Sequence, residues 1–116
     1  MKVTRIYADE QGESHFEDID IPLTDHGDIG RMSEQLGATG IIFRTTDGDY
    51  NYDWHNAPQR QYIIMLDGSV ETTVSDGETR TFTTGDVVLV EDVTGKGHIS
   101  RSPDGRPRRS IFVTLS

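Results

Sequence analysis

Asp-Gly occurs four times in this chain, as Asp47-Gly48, Asp67-Gly68, Asp76-Gly77 and Asp104-Gly105. Both residues accept the backbone angles of a tight reversal, and such a pair between short alternating or β-branched runs is the strongest short-range hairpin signal a sequence carries. The intervening runs are of that kind, predicting strands over 2–8, 14–22, 39–46, 52–57, 60–67, 69–75, 79–83, 86–91, 97–102 and 109–115. Short strands at roughly ten-residue spacing build a mostly antiparallel sandwich or barrel rather than βαβ units. One short helix is expected over 29–36, where Ile29, Met32 and Leu36 share a helical face between flanking glycines.

A chain of 116 residues is one domain with a single core, and the absence of Cys excludes disulfide scaffolds and Cys-ligated zinc modules. Residues 1–37 are more polar and acidic than the rest. They are expected to supply edge strands and a loop lying over a barrel formed by 38–116, or over a partner's barrel.

The net charge of -9 is unevenly spread. Residues 1–95 hold 6 basic and 19 acidic side chains, whereas 96–116 hold 5 basic and 1 acidic. An acidic body repels phosphate backbones, which disfavours a nucleic-acid role. The basic tail, Arg101, Arg106, Arg108 and Arg109, could meet an anionic ligand, but the favoured reading is a solvated edge strand whose charges discourage aggregation. The longest purely apolar stretch is Tyr62 to Leu66, too short to span a bilayer, and no secretory signal precedes it. A soluble, cytoplasmic protein with no membrane or nucleic-acid partner is expected.

Residues two apart on a strand share a face. In 60–67 this groups Gln61, Ile63 and Met65 opposite Tyr62, Ile64 and Leu66. Both sets are largely apolar, so the strand is expected to be covered on one face by a barrel interior and on the other by another layer or subunit. In 52–57, Asp53, His55 and Ala57 share one face, and Trp54 on the other is expected to pack between layers. His98 shares a face with Ser100 and Ser102. Arg60 points away from Gln61, which favours a surface or dimer contact, and His15 and His26 are expected at the surface.

The segment from Gly48 to Gly68 resembles the first cupin motif, in which a Gly precedes His-x-His, a Glu and a closing Gly. Six residues separate Gln61 from Gly68, which puts Gln61 in the Glu position. Counting back from Gln61 places either Trp54 and Asn56, or His55 and Ala57, at the two His positions. Gly85-Asp-Val-Val-Leu-Val, followed by Gly95-Lys-Gly-His98, resembles the second motif, with Val93 near its Pro position and Ser102 in place of its Asn. The resemblance covers about residues 40 to 102 and implies an all-β cupin, a double-stranded β-helix or jelly-roll barrel with N-terminal edge strands, pairing as a homodimer through strands near the N-terminus.

What the resemblance implies for the site is a small organic molecule bound in the barrel by Gln61, Ile63 and Met65, with His55 and His98 as catalytic residues. Metal-binding cupins hold a divalent ion with three His and one Glu. Here His55, Gln61 and His98, with Asp53 for the missing imidazole, could hold Mn, Fe, Ni, Cu or Zn. A neutral amide at Gln61 compensates such an ion poorly, so a metal-free site is equally tenable. There, Asp53 beside His55 or Glu91 near His98 would orient an imidazole for acid–base work, with Tyr50, Tyr52 or Tyr62 as a second group. Isomerase, lyase or oxygenase chemistry and a non-catalytic ligand-binding or sensory module both remain open.

Overall fold

A computed structural model describes residues 1–116. All ten expected strands form, with ends displaced by two residues or fewer. In chain order they are β1 (Lys2–Ala8), β2 (Ser14–Asp20), the two-residue β3 (Thr24–Asp25) and β4 (Arg31–Met32), β5 (Gly40–Thr46), β6 (Asn51–His55), β7 (Gln61–Asp67), β8 (Val70–Val74), β9 (Thr79–Phe82), β10 (Val87–Val90), β11 (His98–Arg101) and β12 (Arg108–Thr114). Six of them form one sheet in the order β2-β1-β10-β7-β12-β5, and four form a second in the order β6-β11-β8-β9. The β1–β10 pair is parallel; its neighbours are antiparallel.

The Asp-Gly turns do something other than the hairpins the sequence suggests. Only Asp76-Gly77 joins hydrogen-bonded neighbours, β8 and β9. Asp47-Gly48, Asp67-Gly68 and Asp104-Gly105 each carry the chain from one sheet to the other. A tight reversal is a local property; which strand then pairs with which is decided by non-local burial. The result is two facing sheets that share no ladder, so hydrogen bonding closes no barrel.

The inward faces meet in a core of Ile6, Phe16, Ala57, Met65, Val70, Val74, Phe82, Val88 and Val90. Burial of each large apolar side chain contributes about 1.5–3 kcal/mol. On β7 the predicted alternation holds: Gln61 and Met65 are buried and Ile63 packs on the core. No layer of this chain covers the opposite face, where Tyr62 and Ile64 are half-buried and Leu66 is exposed.

Three further expectations change. No α-helix forms at 29–36. Gly27 and Gly30 take positive φ around a single 3-10 turn, Gly27–Ile29, and Ile29, Met32 and Leu36 stay exposed because nothing packs on them. An isolated short helix with no buried face lacks the packing that would stabilise it. Second, β12 is not a solvated edge, since it lies between β7 and β5 and Arg108 is buried. Third, of the two N-terminal strands β1 and β2, β1 lies inside the larger sheet and β2 alone is at an edge of it. No helix is long and apolar enough to cross a membrane.

Candidate functional site

The alternation expected for β6 fails at one point, and the site depends on it. His98 pairs with His55, but Ser100 pairs with Tyr52, so two steps on β11 answer three on β6. Such a bulge re-aims side chains. Tyr52, itself half exposed, and His55 consequently both line the cavity, while Asp53 and Trp54 face away from it. The Asp53 carboxylate accepts the Trp54 N–H at 2.8 Å, so it does not share the inward face of His55. Trp54 packs between no layers.

His98 is buried, and its Nδ1 donates to Asp92 Oδ2 at 2.5 Å. Asp92 is fully buried in the loop after β10. Its backbone carbonyl accepts from Ala57 N at 3.2 Å and from the Asn56 amide at 3.3 Å, which ties that loop to the end of β6. The imidazole partner expected at Glu91 is therefore its neighbour; the Glu91 carboxylate instead receives Arg5 and Arg60, each at 2.6 Å. Arg60 also reaches the Ser116 carbonyl, which accounts for its pointing away from Gln61.

The His55 Nδ1–H donates to the Asp53 carbonyl at 2.7 Å, an atom that can only accept. Both imidazoles are thereby held as the tautomer that leaves Nε2 bare. Their ring centroids lie 4.4 Å apart, and the Tyr52 ring packs against His55 at 4.0 Å with the planes tilted by 53°. Burial pushes the His55 pKa below its ordinary 6.5. Gly97 makes this approach possible, because a Cβ there would stand 2.2 Å from the His55 carbonyl oxygen.

These residues face a cavity of about 420 Å³ between the two sheets, within the range of small-ligand sites. The structure brings His55, Gln61, Ile63, Met65 and His98 to this one cavity. Its other walls include Ile6, Val88, Val90 and Phe112. A row of rings runs from His98 through His55, Tyr52 and Tyr50 to the guanidiniums of Arg108, 4.7 Å over Tyr50, and Arg44, 5.6 Å from it. The sequence reading missed Asp92 and favoured a solvated edge for Arg108; Arg44, on β5, lines the cavity with it. Alternation along β12 would have grouped Arg108 with Ser110 and Phe112 had the strand been started one residue earlier.

The residues present do not fit a resident divalent ion. No three His, Asp or Glu side chains converge as ligands, and no carboxylate lines the cavity. Asp92 lies behind His98 on Nδ1, so its carboxylate faces the ring and not the cavity, and the cavity offers an ion no negative donor.

No protein-family model matches the chain, and no curated protein matches it in sequence. Solved structures do. An RmlC-like cupin family protein with a double-stranded β-helix fold from Methanocaldococcus jannaschii superposes with a TM-score of 0.54 at 11% identity, covering 99% of this chain and 80% of that one. A conserved protein of unknown function from Streptococcus pyogenes matches with a TM-score of 0.53 at 20% identity, covering 72% of this chain and 69% of that one. A Neisseria meningitidis protein gives 0.52 at 20% identity, over 70% and 79%. Strand order, the two facing sheets and these superpositions agree: this chain has the cupin double-stranded β-helix fold.

Proposed function

We propose that the protein binds a small organic molecule in the cavity between its sheets and moves a proton on it with His98, held in place by Asp92. The observation that carries this reading is the buried Asp92–His98 pair behind a largely apolar cavity. A carboxylate on Nδ1 fixes the ring, stabilises the imidazolium formed when Nε2 takes a proton, and leaves Nε2 toward a bound molecule. His55, kept neutral by burial, offers a second acceptor beside it. The chemistry this set can perform is proton abstraction and return, as in an isomerase or lyase, without a metal. Native mass spectrometry of the purified protein for a co-purified small molecule is the first test. Turnover of that molecule, followed by deuterium exchange, should be lost in His98→Gln with binding retained. Equal exchange in the variant would remove the proton-transfer role and leave binding without conversion. Stoichiometric metal in the purified protein, absent from His98→Ala, would overturn the metal-free reading.

The partner we propose is a second copy of the chain. β5 is an unpaired edge of the larger sheet, and it continues an arm whose apolar side chains cover nothing of their own chain. Ile29, Ile41 and Phe43 are 74%, 56% and 74% exposed. An edge meeting its own copy about a two-fold axis satisfies both sets of backbone groups and covers both apolar rows at once. Light scattering should give twice the chain mass, reduced to one by Phe43→Asp; a monomeric wild type would refute it.

A further inference from the structure

Lys2, Arg5, Arg60, Arg80, Lys96, Arg101 and Arg109 each pair with a carboxylate. Four arginines do not. Arg31 and Arg106 are exposed, where water solvates them; Arg44 and Arg108 line the cavity. Arg108 is 7% exposed, Nη1 has no partner, and burial pushes its pKa down. A guanidinium so desolvated stays charged and calls for an anion.

Its surroundings repeat the pattern. Across the β5–β12 ladder Arg108 faces Thr46 and Ser110 faces Arg44, making a two-by-two patch on the inward side. Thr46 Oγ1, Arg108 Nη1 and Ser110 Oγ are all buried without a partner; the one other such atom in the chain is Asp92 Oδ1. Orphaned buried donors are costly to a fold, so their concentration in one patch needs a cause. In a chain with 20 acidic residues, no carboxylate lines the cavity to meet these groups.

We propose that the cavity's ligand carries a carboxylate, which the Arg108 fork holds with Ser110 Oγ and with Arg44 alongside. Two coplanar oxygens match the guanidinium's parallel N–H groups, and a small hydroxyl donor completes the set. Tyr50, Tyr52 and the aliphatic wall take the ligand's apolar body, and the row of rings leads from the carboxylate to Nε2 of His98. This assignment deepens the proposed function and rests on the cavity being a ligand site.

Benzoate and its neutral isostere benzamide, titrated at low ionic strength and followed through the imidazole NMR signals of His55 and His98, separate the two ideas. Benzoate should bind at least about tenfold more tightly than benzamide, the lower range expected of a charge-assisted pair. Arg108→Met should erase that preference, weakening benzoate far more than benzamide. It should also melt higher than wild type when ligand-free, because it removes an uncompensated buried charge. Ser110→Ala, a smaller perturbation, should weaken benzoate more than benzamide. Equal binding of the two probes, or a preference that survives Arg108→Met, overturns the carboxylate assignment while leaving the cavity a ligand site. If neither probe moves the imidazole signals, the ligand site itself falls, and this assignment with it.

Discussion

Replacing Gly97 with Ala tests how the site is assembled, because this glycine lets β11 approach the end of β6. Two costs add. Gly97 has φ of +76°, where an L residue costs about 1 kcal/mol. The new Cβ would also stand 2.2 Å from the His55 carbonyl oxygen and 2.6 Å from its carbon, backbone atoms that cannot rotate away. Relieving such an overlap by moving strands apart costs about 1–3 kcal/mol. The sum is about 2–4 kcal/mol. With an unfolding entropy of about 2.1 cal/mol/K per residue, 116 residues convert each kcal/mol into about 4 °C, so Tm should fall by about 8–16 °C. Gly77→Ala is the internal control. Its φ is +98°, yet nothing lies within 4 Å of the added Cβ, so it carries only the backbone cost, and Tm should fall by about 4 °C. Calorimetry of both variants isolates the steric part. If Gly97→Ala melts no lower than Gly77→Ala, the close contact neither constrains the fold nor sets the imidazole pair.

Asp92→Asn should abolish the fixed tautomer of His98: 15N NMR should find Nδ1–H alone in the wild type and a mixture in the variant, and an unchanged spectrum would mean that Asp92 does not set the ring. Two histidines should give stability opposite dependences on pH. Burial lowers the His55 pKa, so the unfolded chain takes up a proton first and stability falls as pH drops below 6.5 toward the folded value; His55→Gln should flatten that fall in urea titrations. His15 is raised by hydrogen bonds to Asp9, at 2.8 Å, and to Asp76, at 2.7 Å. Its contribution is complete below 6.5 and is lost as pH rises through the folded pKa, so His15→Gln should destabilise at pH 6 and change little at high pH. The same slope in wild type and variant would refute either assignment.

Local chemistry made much of this legible in the sequence. Alternation identified all ten strands and grouped Gln61, Ile63 and Met65 on the wall that the cavity uses, because the side-chain period of a strand is a property of the backbone alone. The motif spacing pointed to the fold and to His55 and His98. Alternation could not reveal the bulge that turns Tyr52 inward and Asp53 outward, since the extra residue exists only relative to β11. Nor could it tell that Asp92, and not Glu91, meets His98, because one residue's displacement in a loop is set by what the loop packs on.

The basic tail is the clearest division between the two levels. In the sequence, Arg108 is one of four arginines among polar residues, and a surface strand is the economical reading. Once β12 pairs on both sides, its inward positions are committed to the interior whatever their charge. The sequence by itself determined where the chain extends and where it turns, because those follow from bonds within a few residues. Only the tertiary structure decided which turns join one sheet to the other, and so which charges lost their water, because burial depends on strands distant in the chain.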